Sequence, residues 1–185
     1  MEIAVKLAFQ EEGALRLLNW LALENARIFR LYDERAYRKG TASLPGLYEA
    51  GVRYETEKTE IWSDYLNLLM ARHEDCDALA AARAGELQAR GWQALSPRDP
   101  NDPVRYPGDQ GYALAMRQRP EQIRSEVMLT TNTEPGIPGL YHCIVRYWIN
   151  GQEFRDDPSA RLGMLGDPDS PEVKQGLAFG AGGSF

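Results

Sequence analysis

The stretch that most limits how this chain can fold is the run Tyr141–Ile149, closed by Asn150-Gly151 and followed by Gln152–Arg155. In YHCIVRYWIN, His142, Ile144, Arg146 and Trp148 point one way, and Tyr141, Cys143, Val145, Tyr147 and Ile149 the other. A period of two is the signature of a strand with two unlike faces. Asn-Gly is a strong signal for a two-residue type I′ hairpin turn. Such a turn sets Ile149 opposite Gln152, Val145 opposite Asp156 and Ile144 opposite Asp157. Direct partners share a face, so Asp157 falls on the His142 face and Asp156 on the opposite one. Asp157 is then diagonal to His142, at roughly 7–8 Å between backbones and within side-chain reach.

Upstream the pattern is mainly helical. Residues 2–9 alternate (Ile3, Val5, Leu7, Phe9) and read as a short strand with one buried face. From Glu11 to Arg38, Leu17, Leu21, Ile28 and Leu31 fall near one line, widened by Leu18, Trp20 and Tyr32. That stripe is broad enough to dock on a core. Arg35, Arg38, Lys39 and then Gly40 make a helix stop. Thr41–Gly51 reads as a loop. A second helix is expected from Thr59 to Arg72, with Trp62, Leu66 and Leu69 on one face beside Tyr65. Polar residues His73–Asp75 interrupt it. An alanine-rich helix follows from Cys76 to Arg90, closed by Gly91. Its small side chains permit close approach of another element and place it at the centre of the domain.

Ser96–Gly111 holds four prolines in a polar stretch and reads as a long loop. Strands are expected at Tyr112–Arg117, Val127–Thr131, Tyr141–Ile149 and Gln152–Arg155. Helices first and antiparallel strands afterwards define an α+β domain with helices packed on one side of an antiparallel sheet. Residues 1–165 form one domain, and 166–185 a Gly- and Pro-rich tail.

Composition removes several function classes. With 21 basic and 27 acidic residues the net charge is -6, against generic phosphate-backbone binding and hence against a nucleic-acid partner. No apolar run approaches the roughly 18 residues of a membrane span. The N-terminus lacks the basic and apolar regions of a secretory signal. Two cysteines cannot make a disulfide framework and suit a reducing compartment or a chemical role.

The chemistry candidates are Cys76, His142 and an aspartate. Cys76 opens a helix, where unpaired N–H groups and the helix dipole stabilise a thiolate. Asp75 and Asp77 oppose this, so a partner imidazolium matters. His142 opens the strand, and the register selects Asp157 as its orienting acid. Cys143 turns away from His142 and is the poorer nucleophile. Zinc would need His73, Cys76, His142 and Cys143 together, and the same alternation separates the last two; no metal or cofactor is expected. Trp62 and Trp148 read as core aromatics. A helix-terminal thiolate with a His–Asp pair on a neighbouring hairpin is a nucleophile–base–orienter arrangement.

The order Cys, His, Asp, with cysteine opening a helix and histidine a strand, resembles the transglutaminase-like branch of the papain-like fold. In WSDYLNLLMARHEDCDALAAARAGELQARG, Trp62 precedes Cys76 by 14 positions. This is similar to bacterial transglutaminase-like cysteine proteinases, where a tryptophan-led helix precedes a Gly-Asp-Cys-acidic motif. YHCIVRYWINGQEFRDDPSARLGM resembles their downstream part, and DPSARLGM is similar to transglutaminase-like proteins of tailed bacteriophages. The resemblance covers about residues 55–95 and 140–164. Glu74 stands where the family has glycine, adding bulk and charge where a substrate chain would approach.

The resemblance implies a papain-like core and a Cys76–His142–Asp157 triad acting through an acyl-enzyme. The Cys76 N–H is one candidate oxyanion donor and the Trp62 indole another; the second donor stays unassigned. It implies a phage-type cysteine hydrolase, a peptidase or amidase, located in the virion or the host bacterial cytoplasm. The Pro-rich loop and Gly-rich tail suit a protein partner, other virion subunits above all. Two alternatives stay open: a non-catalytic virion structural or adaptor protein retaining the fold, and an acyl-transferase forming isopeptide bonds.

Overall fold

The computed structural model describes residues 2–3, 11–56, 61–95, 123–131, 141–149 and 151–164. The remainder of the expected N-terminal strand, the Pro-rich loop, the strand expected at 112–117, Asn150 and the tail 166–185 lie outside the described residues.

The chain begins with β1 (Glu2–Ile3) and the long helix α1 (Glu11–Lys39). Gly40, at φ 63°, ends α1 in the left-handed conformation that glycine tolerates best. The buried line of α1 is Ala14, Leu18, Leu21, Ala22, Asn25, Ala26, Phe29, Asp33 and Ala36. This is a rotated version of the stripe expected from hydrophobicity: Leu31 is 61% exposed and Trp20 39%. The cause is how closely α1 crosses helix α3 (Cys76–Arg90). A Cβ on Gly85 would lie 2.6 Å from the Ala22 carbonyl oxygen and 2.9 Å from the Ala26 nitrogen. Small residues fill that crossing, and several larger apolar ones turn outward.

The helix expected from residue 59 is shorter than its periodicity suggests. Trp62–Ser63 is a strand, β3, after β2 (Arg53–Tyr54), and pairs antiparallel with β1. Helix α2 (Tyr65–Ala71) starts after it because the Asp64 carboxylate accepts the Asn67 N–H at 3.0 Å, an N-cap that holds residue 64 out of the helix. Arg72, at φ 67°, stops α2. The polar break at 73–75 contains a strand, β4 (His73–Glu74), parallel to β2.

Helix α3 has the bounds its sequence implies and is buried on nearly every side. Its arginines are paired inside the protein: Arg83 with Glu86 at 2.9 Å and with Asp156 at 2.8 Å, and Arg90 with Asp33 at 2.7 Å. A short turn of helix, α4 (Trp92–Leu95), follows. Strands β5 (Arg124–Thr131), β6 (Tyr141–Ile149) and β7 (Gln152–Asp156) form an antiparallel sheet in that order. Leu18, Leu21 and Ala22 of α1 and Ala80, Ala81, Ala84 and Leu87 of α3 pack against Val127, Cys143 and Val145. The helices therefore cover one face of the sheet, an α+β arrangement. Asn19 of α1 fixes β5 by exchanging hydrogen bonds with the backbone of Val127, at 3.2 and 2.9 Å. No helix among the described residues is long and apolar enough to cross a membrane.

Candidate active site

The β6–β7 register sets the site. Ile149 faces Gln152 and Val145 faces Asp156, the pairing derived from the Asn-Gly turn. Gly151 has φ 80°, the positive value such a turn requires. Two adjacent carboxylates consequently leave on opposite sides. Asp156 is buried and binds Arg83 on the helix side, with Arg161 at 3.2 Å. Asp157 reaches the other way, and its Oδ2 lies 2.8 Å from His142 Nε2. Asp157 is also a cap: its Oδ1 accepts the Ala160 N–H at 3.0 Å and its carbonyl accepts the Arg161 N–H at 3.2 Å. The turn it starts continues through Ala160–Met164. An aspartate followed by proline at the first helical position is a helix-start signature that would have identified this turn in the sequence. It anchors the acid from behind.

Cys76 is the first residue of α3, partly exposed, and packs at the margin of the core cluster containing Cys143. Its thiol meets both the Cys143 thiol and the His142 ring. Alternation turns Cys143 and His142 apart on the strand, yet Cys76 touches both, so Cys143 belongs to the site it was expected to leave. Because His142 Nε2 is engaged by Asp157, Nδ1 is the ring atom left for the sulfur.

The electrostatics follow from these contacts. Hydrogen bonding from the Cys143 thiol outweighs burial and, together with the His142 ring, lowers Cys76 to about 5. His142 is pushed up to about 9, by Asp157 first and Cys76 second, against burial. Burial works against charge on Asp157, but its hydrogen bonds to His142 and to the Ala160 and Ser159 N–H groups hold it below its ordinary value. The Cys76 thiolate and burial drive the Cys143 thiol strongly upward, so Cys143 stays protonated and donates. At neutral pH the site is thiolate, imidazolium and carboxylate in a row.

The acidic neighbours oppose the thiolate less than their number suggests. Burial raises Asp77 to about 9, aided by a hydrogen bond with Asp75 and its charge, so at neutral pH the Asp77 carboxyl keeps its proton. Glu74 does not project toward an approaching chain: it is 3% exposed and lies within β4. Arg72 is the only described non-glycine residue with positive φ, so position 74 does not require glycine's freedom. His73 is exposed and lies 3.6 Å from Glu55. No group of three or more His, Cys, Asp or Glu among the described residues is arranged to hold a metal ion.

Trp62 packs against the same core cluster as Cys76, from β3 rather than from the expected helix. Its indole Nε1–H is buried and finds no acceptor among the described residues. Unpaired buried donors are uncommon and call for an explanation. The first N–H groups of α3 likewise have no intrahelical acceptor.

Compared with known proteins, the chain matches no family model, no curated protein and no solved structure.

Proposed function

We propose that the chain is a cysteine hydrolase of amide bonds, a peptidase or amidase, built on a papain-like core and working through an acyl-enzyme. The observation that carries this reading is the continuous set of contacts from Cys76 to His142 to Asp157, with the sulfur and ring shifted toward the ion pair. The Cys76 thiolate attacks the carbonyl carbon. The His142 imidazolium gives its Nδ1 proton to the departing amine as the C–N bond breaks. Neutral His142 then takes a proton from water, which attacks the thioester and releases the acid and the thiolate. Asp157 holds the tautomer and the imidazolium. The Cys76 N–H and the Trp62 indole receive the negative oxygen.

An activated ester such as p-nitrophenyl acetate tests this. A burst of one nitrophenolate per chain, with the acetyl group on Cys76 by mass spectrometry and none in Cys76→Ala, supports an acyl-enzyme. Added primary amines that capture the acyl group faster than water would assign acyl transfer instead. No burst and no selective alkylation of Cys76 would favour a structural protein that keeps the fold.

A further inference from the structure

The mechanism above leaves one nucleophilic group without a chemical step: the second thiol, Cys143. It is 3% exposed, in the middle of the helix–sheet core, yet it touches the reactive sulfur. The cause is the alanine face of α3. Cys76, Ala80 and Ala84 succeed one another at one-turn spacing, and Ala80 and Ala84 belong to the core cluster with Cys143 and Val145. Ser125 Oγ donates to the Ala84 carbonyl at 2.8 Å, fastening the helix to the sheet one strand away. A disulfide needs its Cα atoms within about 7 Å. A leucine face would hold the helix too high, whereas an alanine face lets it down onto the strand.

We infer that Cys76 and Cys143 form a reversible covalent modification site, in which oxidation of Cys76 by a peroxide is resolved by Cys143 into an intramolecular disulfide joining α3 to β6. In the first step the thiolate attacks one peroxide oxygen, the O–O bond breaks and hydroxide or alkoxide leaves. Sulfur loses two electrons and becomes a sulfenic acid, and the peroxide is reduced. In the second step the Cys143 sulfur attacks the Cys76 sulfur, the S–O bond breaks, and the oxygen leaves as water carrying the Cys143 proton. Conversion of Cys76 to the sulfenic acid removes the negative charge that held the Cys143 proton in place, so the first step prepares the second. His142, in contact with Cys76, supplies or accepts the proton in transit. The product blocks the nucleophile and shields it from irreversible oxidation. A dithiol restores both thiols.

This inference does not depend on turnover, and its test reads mass rather than activity. The full chain is treated with hydrogen peroxide, denatured and alkylated. The expected product is a monomer lighter by two hydrogens, with neither cysteine alkylated and peptides 73–83 and 125–146 joined after trypsin. In Cys143→Ser the donor to the thiolate remains but the resolving sulfur is gone. There Cys76 should accumulate dimedone-reactive sulfenic acid and then sulfinic acid. Oxygen added to wild-type Cys76 while Cys143 remains alkylatable would overturn the inference, as would a disulfide between two chains. If Cys143→Ser does not fold, the wild-type masses decide alone.

Discussion

His142 Nε2 and Asp157 Oδ2 are 2.8 Å apart, whereas Asp156, the preceding residue and the pairing partner of Val145, leaves on the other side of the sheet. The pleat sends Asp156 to Arg83 and Asp157 to the imidazole. The two aspartates should therefore fail differently when changed to asparagine. Asp157→Asn should lower acyl-enzyme turnover by up to about 10⁴, the order seen when a triad loses its orienting acid, with little effect on melting. Asp156→Asn strips one partner from a buried ion pair and should destabilise by about 3–5 kcal/mol. Thermal melting and burst kinetics on both variants check this; exchanged phenotypes would show a register shifted by one residue.

The parts of this site legible in the sequence are those set by local geometry. Alternation and Asn-Gly give the hairpin register, and Cys76 and Gly91 bound α3. The rest depends on elements meeting across the fold. Hydrophobicity favours Leu31 for the core, but the crossing at Gly85 decides by size and selects Ala22 and Ala26. Helical spacing includes Trp62, but the Asp64 cap and pairing with Ile3 make it a strand. Contact of Cys143 with Cys76 arises from how low α3 sits on β6, which no spacing within either segment encodes.

The ion pair predicts a pH profile. With Cys76 at about 5 and His142 at about 9, alkylation of Cys76 by iodoacetamide should already be substantial at pH 6. An ordinary thiol near 8.5 would be almost unreactive there. Acyl-enzyme formation should follow a bell between these two values. His142→Ala should move the alkylation onset upward. An unchanged onset in that variant would assign the activation to Cys143 and the helix end alone.

Asp77 should make the protein less stable as pH rises. Its folded value is about 9 and its ordinary value is 3.8, so the folded state binds the proton more tightly. Stability from this group is complete below about pH 4 and is lost as pH rises toward 9. Asp77→Asn keeps a neutral side chain of the same shape and should flatten that decline, with melting temperature at pH 8.5 equal to or above wild type. Greater loss in the variant than in wild type at that pH would mean the carboxylate is charged and needed.

Gly85→Ala tests the helix crossing. Alanine is intrinsically the better helix residue by roughly 0.5–1 kcal/mol. Here its methyl would meet the Ala22 carbonyl oxygen and the Asn25 Cβ, both at 2.6 Å. Overpacking of a close-packed contact typically costs about 1–3 kcal/mol, so the variant should melt at lower temperature. A higher melting temperature would mean that α1 and α3 have room to separate.

Trp62→Phe separates a role in packing from a role in catalysis. The ring packs against the core cluster that Cys76 also meets, and phenylalanine keeps most of that apolar surface. What it removes is an Nε1–H that is buried and has no acceptor among the described residues. A donor without a partner contributes no hydrogen bond to folding, so melting should change little. If the indole receives the negative oxygen, its loss is felt when that charge develops. Removing one such donor lowers kcat by about 10²–10³. The burst rate with p-nitrophenyl acetate should fall by that order, while alkylation of Cys76, which develops no oxyanion, should proceed at the wild-type rate. Equal loss in both reactions would show that Trp62 merely positions the thiolate. No loss in either would leave the helix N–H groups of α3 as the only oxyanion donors of the proposed mechanism.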